Sequence, residues 1–154
     1  MGTTSDLFDG TATRLSAANV GQYIPRSDTT TDYASGAAAI TRSKLPTAPD
    51  SAIALRFMPA LADVSSPFST FLMQALVRGL PNDAESASDL TDEVRDNLLG
   101  LTDVWFGSTH VVQVRFAGQV DLDPDESERD QWSLKLLWDV DEPPTDLRPA
   151  GGWD

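Results

Sequence analysis

From Trp132 to Val140 the chain alternates without a break: Trp132, Leu134, Leu136, Trp138 and Val140 interleave with Ser133, Lys135, Leu137 and Asp139. Successive side chains of an extended strand point to opposite faces, so this pattern dictates a strand with one face in a core. Upstream, Val111–Val120 sets Val112, Val114 and Phe116 on one face and Gln113 and Arg115 on the other. The two segments read as a hairpin of long strands joined through an acidic turn region, Asp121–Asp130, which contains Pro124. Earlier, Ile53, Leu55 and Phe57 alternate with Ala54 and Arg56, predicting a half-buried strand over Ala52–Met58. Phe71–Arg78 is apolar on both faces apart from Gln74 and Arg78, which suits a central strand covered on two sides.

Two helices are expected beside these strands. Phe8, Ala12, Leu15 and Ala18 recur at spacings of three and four within 3–19, with Leu7 beside the stripe; Thr3, Thr4, Ser5 or Asp6 could cap the helix, and Gly10 weakens it. Over 83–99, Asn82 and Glu85 form a capping-box-like pair, and Ala87, Leu90, Val94, Leu98 and Leu101 make one apolar stripe. Asp89, Asp92, Glu93 and Asp96 face water, and Gly100 fits the left-handed position after the helix. Val20–Ile24 predicts a short strand stopped by Pro25, and Ser27–Ala39 a long mobile loop without a clean period. The order helix, short strand, two strands, helix, hairpin gives an α+β class: a single mixed or antiparallel β-sheet of about four to five strands with two main α-helices packed on it. With 154 residues, one domain is expected over 1–140, with a flexible loop near 27–44 and a Pro/Gly-rich, disordered tail over 141–154.

Composition narrows the chemistry. The chain has no cysteine and one histidine, so thiolate zinc sites, Cys nucleophiles and His-based constellations have almost nothing to build on. His110 has no paired motif around it that would make it a general base. Asp121, Asp123 and Asp125 mimic the start of a calcium loop, but Glu126 stands where the turn needs Gly and Trp132 where a bidentate Glu should sit. A solvated hairpin tip is the simpler account. The small-residue run Ser35-Gly36-Ala37-Ala38 is no phosphate cradle, and no nucleophile elbow, phosphate loop or dinucleotide fingerprint occurs. No catalytic, cofactor-binding or metal residue is therefore nominated, and no enzyme is expected. No run is long and apolar enough to span a bilayer, and no secretory signal opens the chain. Trp105 and Phe106, like Trp132 and Trp138, read as core beneath the helices, or at a subunit interface, where Trp is enriched.

Acidic residues number 24 and basic ones 11, a net charge of −13. That is the wrong sign for a reader of nucleic acid, whose affinity comes from Lys and Arg displacing counterions. It suits a well-hydrated surface, or a wall that DNA passes without sticking.

The chain resembles the phage tail terminators, also labelled minor capsid or tail completion proteins. The likeness is carried by the opening amphipathic helix, by KLPTAPDSAIALRFMPA (Lys44–Ala60), by FLMQALVRGLPNDAESASDLTDEVRDNLLGL (Phe71–Leu101) and by VVQVRFAGQVDLDPDESERDQWSLKLLWDV (Val111–Val140). Within the second stretch, Leu76-Val77-Arg78-Gly79 and the run from Ala84 to Leu101 are similar to the family's strand-then-helix pattern. The resemblance implies a virion protein without enzymatic activity or cofactor, located at the tail–neck junction and assembled in the host cytoplasm. It implies a ring, typically a hexamer, that caps the tail tube, ends its growth and provides the surface for head–tail joining. Its partners would be itself, the tail tube protein and a head-completion or neck protein. Genomic DNA would pass through the channel without specific binding, and no membrane is involved. Acids lining that channel would repel the DNA. The alternatives are another neck or head-closure protein, and an acidic DNA mimic that sequesters a basic enzyme. A mimic should set its carboxylates in two phosphate-like rows, whereas here they cluster at the hairpin turn, the second helix and the tail.

Overall fold

The computed structural model describes residues 2–62 and 68–141. In chain order the elements are α1 (Thr3–Ala17), β1 (Gln22–Tyr23), β2 (Ala39–Arg42), β3 (Ala52–Ala62), β4 (Phe68–Pro81), α2 (Ala84–Leu98), β5 (Thr102–Phe106), β6 (Thr109–Leu122) and β7 (Arg129–Asp141). All seven strands join one curled sheet in the order β1-β2-β3-β4-β7-β6-β5. The expected sheet of four to five strands is thus corrected to seven. β1, β2 and β3 run parallel, and every other pairing is antiparallel. The strands missing from the sequence reading are β2 and β5, of four and five residues. Segments that short leave too few repeats for a period to show. The stretch near 27–44 accordingly contains β2, while residues 142–154 of the Pro/Gly-rich tail lie outside the described residues.

One face of the sheet is buried along its length, and the other only at the end where Ala52, Ala54, Arg78 and Ser133 lie. On β4, Phe71, Met73, Ala75 and Val77 are sealed in, whereas Leu72, Gln74 and Leu76 remain half-exposed. The expectation of a strand covered on two sides holds for the second side only at Arg78, which is buried, and not at Leu72, Gln74 and Leu76. Its apolar residues are continuous, but helices pack on one side only. Ile53, Leu55 and Phe57 of β3 and Leu134, Leu136 and Trp138 of β7 continue the buried face. Against it lie Leu7, Phe8, Ala12 and Leu15 of α1 and Val94 and Leu98 of α2. Phe57 meets the Trp138 ring edge-on at 5.2 Å, a preferred aromatic geometry.

Two close approaches dock the helices. A Cβ on Gly10 would stand 2.2 Å from Phe106 Cγ, so the residue that weakens α1 as a helix is the one that lets it meet β5. A Cβ on Gly79 would stand 2.6 Å from the backbone nitrogen of Ala87, which brings the first turn of α2 onto β4. The caps differ from expectation. Gly2 precedes α1 without a side-chain cap, and Asp6 is buried instead, accepting from Ser108 Oγ (3.0 Å) and Thr109 Oγ1 (3.1 Å) at the β5–β6 turn. For α2 the cap is Asp83, which accepts from the Ser86 amide at 3.2 Å, not Asn82, whose φ of 55° is outside the extended range an N-cap uses.

Thr11 is fully buried and its hydroxyl has no partner among the described residues. Valine has the same shape and the same branching in a helix, so Thr11→Val should raise stability by about 1 kcal/mol in chemical denaturation. Gly79→Ala should lower it by about 1–3 kcal/mol by the same measurement, because the added methyl group meets backbone, which cannot rotate away.

Candidate functional site

The residues singled out from sequence do not converge. His110, on β6, stacks on Trp105 of β5 with ring centroids 4.7 Å apart, and its Nε2 pairs with the Asp103 carboxylate. A carboxylate does therefore sit beside the histidine in space, a pairing that no motif around His110 announces. Asp103 reaches His110 only through the pairing of β5 with β6, and β5 is too short to show a period in the sequence. Trp105 is 65% exposed on the outermost strand, whereas Trp138 is fully buried and Trp132 half-buried, so the aromatics do not form one core. The pairing of β5 with β6 skips Asp103, whose φ is 53°.

The acidic hairpin region is narrower than expected. β6 runs to Leu122 and β7 starts at Arg129, so Asp121 and Asp130 belong to strands. Asp125 is consumed internally: its carboxylate accepts from the amides of Arg129 and Ser127, both at 3.0 Å, and from Arg129 Nε at 2.8 Å. The Arg129 amide leads these contacts in holding the carboxyl below its usual range. Arg129 Nη1 also reaches Asp50 Oδ1 at 3.1 Å, and Arg78 donates to the carbonyls of Asp50 (2.7 Å) and Pro49 (2.8 Å). Together the two arginines tie the segment before β3 to β4 and β7. Among the described residues, no group of three or more His, Cys, Asp or Glu side chains could hold a metal ion.

What the strands do bring together is a surface. On the side of the sheet without helices, register aligns side chains in rows across β3, β4, β7 and β6. One row is Arg56, Gln74, Lys135 and Gly118, and the next is Met58, Leu72, Leu137 and Arg115. Gln74 Nε2 donates to Ser133 Oγ at 3.1 Å, in the neighbouring row. Arg115 is neutralised by Asp139, donating to its two oxygens at 2.9 and 3.1 Å, while Gln113 and Thr70 donate to the same carboxylate at 2.8 Å. Burial alone would raise the Asp139 pKa, but these donors, led by Arg115, hold it below the usual range. Arg56 and Lys135 are exposed and make no ion pair or hydrogen bond among the described residues. Val120, in the row of Leu76 and Ser133, is 55% exposed, and Phe116, opposite Leu136 on the helix side, is 51% exposed. Phe116 does share a face with Val114, lying opposite Leu136 as Val114 lies opposite Trp138, but it stays exposed; it is Val112 that leaves the expected face, because a register irregularity between Val111 and Gln113 puts Val111 in the core instead.

At the opposite edge, a cleft of about 420 Å³ is bordered by Phe8, Tyr23, Tyr33, Arg26 and Arg42. Arg42 lies over the Phe8 ring at 5.5 Å. Tyr23 donates to Asp9 at 2.8 Å, and burial, reinforced by that acceptor, pushes its pKa up to about 12. The nearby 27–39 loop is organised by Asp28, which accepts from the amides of Thr30 and Thr31 at 3.0 Å and from both threonine hydroxyls.

The Thr31 hydroxyl, followed by the two amides, lowers the Asp28 pKa to about 2. A lowered folded-state value means the carboxylate's hold on the loop is complete above its ordinary pKa of 3.8 and is lost as pH falls through about 2. A carboxyl NMR titration should place the Asp28 midpoint near 2, and a midpoint near 3.8 would show these bonds are not formed in solution.

No helix among the described residues is long and apolar enough to cross a membrane. No family model and no curated protein matches the chain. Several solved structures match the chain, and one of them aligns over 94% of this protein and 100% of its own length, with a TM-score of 0.57 and 17% identity. A likeness at that identity shows that the two share a fold.

Proposed function

We propose that the protein is a virion structural component of the tail-terminator kind: a ring-forming subunit that caps the tail tube, ends its elongation and offers the surface for head–tail joining. The observation that carries this reading is the long sheet face left bare of helices. Half-exposed Met58, Leu72, Leu76 and Leu137 lie there in register beside Arg56 and Lys135. Contiguous apolar surface rimmed by polar groups marks an interaction site. Exposed Val120, opposite Ser133, extends the apolar area of that face, while Phe116, opposite Leu136, is exposed on the helix side and Trp105 on the outermost strand; a ring subunit needs at least two different contact surfaces. The side chains with chemical potential are spent on structure: Asp6 on the β5–β6 turn, Asp125 and Arg129 on the hairpin, Asp139 on Arg115. The strings that resemble the tail terminators coincide with β3, with β4 through α2, and with the β6–β7 hairpin, and their strands together build the bare face.

Deleting the gene from the viral genome that carries it, and imaging the particles by electron microscopy, tests this reading. Overlong tails beside filled, tailless heads are expected. Tails of normal length beside emptied heads would assign the protein to head closure instead, and normal virions would overturn the structural role.

A further inference from the structure

The bare sheet face is not only apolar; it is also the wrong charge for this molecule. The chain carries −13, yet Arg56 and Lys135 stand unpaired among the described residues in one cross-strand row, with the neutral Gln74 between them. Two strand spacings put their Cα atoms about 10 Å apart. The nearest carboxylate in the rows around them, Asp139, is already bound by Arg115, Gln113 and Thr70. At the end of the row, Gly118 presents no side chain, and a Cβ there would meet nothing within 4 Å.

The complement lies on the far side of the sheet. α2 buries Ala87, Thr91, Val94 and Leu98, and turns Glu85, Asp89 and Glu93 outward. These three acids follow one another at intervals of four residues, about 6 Å of helix rise each, and none of their side chains has a partner among the described residues. Like charges at that spacing destabilise a helix on its own, so the stripe stands at a cost inside the single chain. Asp89 and Glu93 also border a groove of about 520 Å³ between α2 and the 34–38 segment, open to a cationic side chain.

We infer that the bare face of one copy docks on the α2 carboxylate stripe of a second copy, with Arg56 and Lys135 set against Glu85, Asp89 and Glu93. The two patches lie on opposite sides of one sheet, so a two-fold dimer cannot satisfy both contacts at once. The contact is head-to-tail, the kind that generates closed rings or open filaments. It rests on the proposed ring role only in its biological purpose, since the charge and geometry are properties of this chain alone.

The test is sedimentation velocity of the full chain, across a concentration series at low and at physiological salt, with two charge-reversed variants. One carries Arg56→Glu and Lys135→Glu; the other carries Asp89→Lys and Glu93→Lys. All four positions are exposed, and thermal melts confirm that each variant folds. Wild-type chains should self-associate, more weakly as salt rises. Each variant alone should associate at least about tenfold more weakly, and an equimolar mixture of the two should recover association, because the reversed patches complement each other. A wild-type chain that stays monomeric throughout, reversals without effect, or a mixture that fails to recover would overturn the contact. The tail-length phenotype is read separately. Overlong tails with indifferent reversals would keep the ring role and remove this contact, and normal virions with mutual rescue would do the opposite.

Discussion

Burial of Met73, Ala75 and Val77 on β4 and of Leu134, Leu136 and Trp138 on β7, beneath two helices, fixes how the two central strands pair. Because side chains alternate, a slip of one residue would turn this whole set outward and draw Gln74, Lys135 and Asp139 into the core. The register is therefore strongly specified at the centre of the sheet, and β3 and β6 inherit it through their own pairings. Everything on the bare face follows from the same alternation. Arg56, Gln74 and Lys135 form a row only because Phe57, Met73 and Leu136 are held on the other side.

The periphery depends on more local devices. The segment joining β2 to the parallel β3 is shorter than the helical crossover that usually connects parallel strands. Arg78 and Arg129 hold its returning end in place through the carbonyls of Pro49 and Asp50, the carbonyl of Thr47 and the Asp50 carboxylate. Burial lowers the Arg78 pKa, and the Arg129 charge beside it lowers it further; the acids Asp125 and Asp50 oppose that shift. Asp6 plays the corresponding part on the other flank, fastening α1 to the turn between β5 and β6.

Strands with several repeats of period two were legible in the sequence: Ala52–Met58, Phe71–Arg78 and Trp132–Val140 all fall within β3, β4 and β7. Both helices were legible too, from spacings of three and four. What escaped was set by tertiary context. β2 is four residues inside a run of small side chains, and β5 is interrupted by a left-handed aspartate. Adjacent Asn82 and Asp83 are both good capping residue types, and only the backbone angles decide between them. How far the second face of β4 is covered is not legible from its continuous apolar run, which looks the same whether or not another layer meets that side. The bare-face row could not be found from any one segment, since it takes three strands in register to put Arg56 beside Lys135. The carboxylates of α2, by contrast, were readable as water-facing from helical spacing alone.

Asp103 has one more consequence. A sheet that ends in an exposed strand offers a template on which foreign strands can grow, and proteins blunt such ends by making them short, charged or irregular. β5 is all three: five residues long, carrying a carboxylate, and bent out of its ladder where Asp103 adopts a positive φ. This border of the molecule is thus closed to indiscriminate lateral addition, which keeps a chain with a half-apolar bare face from propagating its sheet edge to edge.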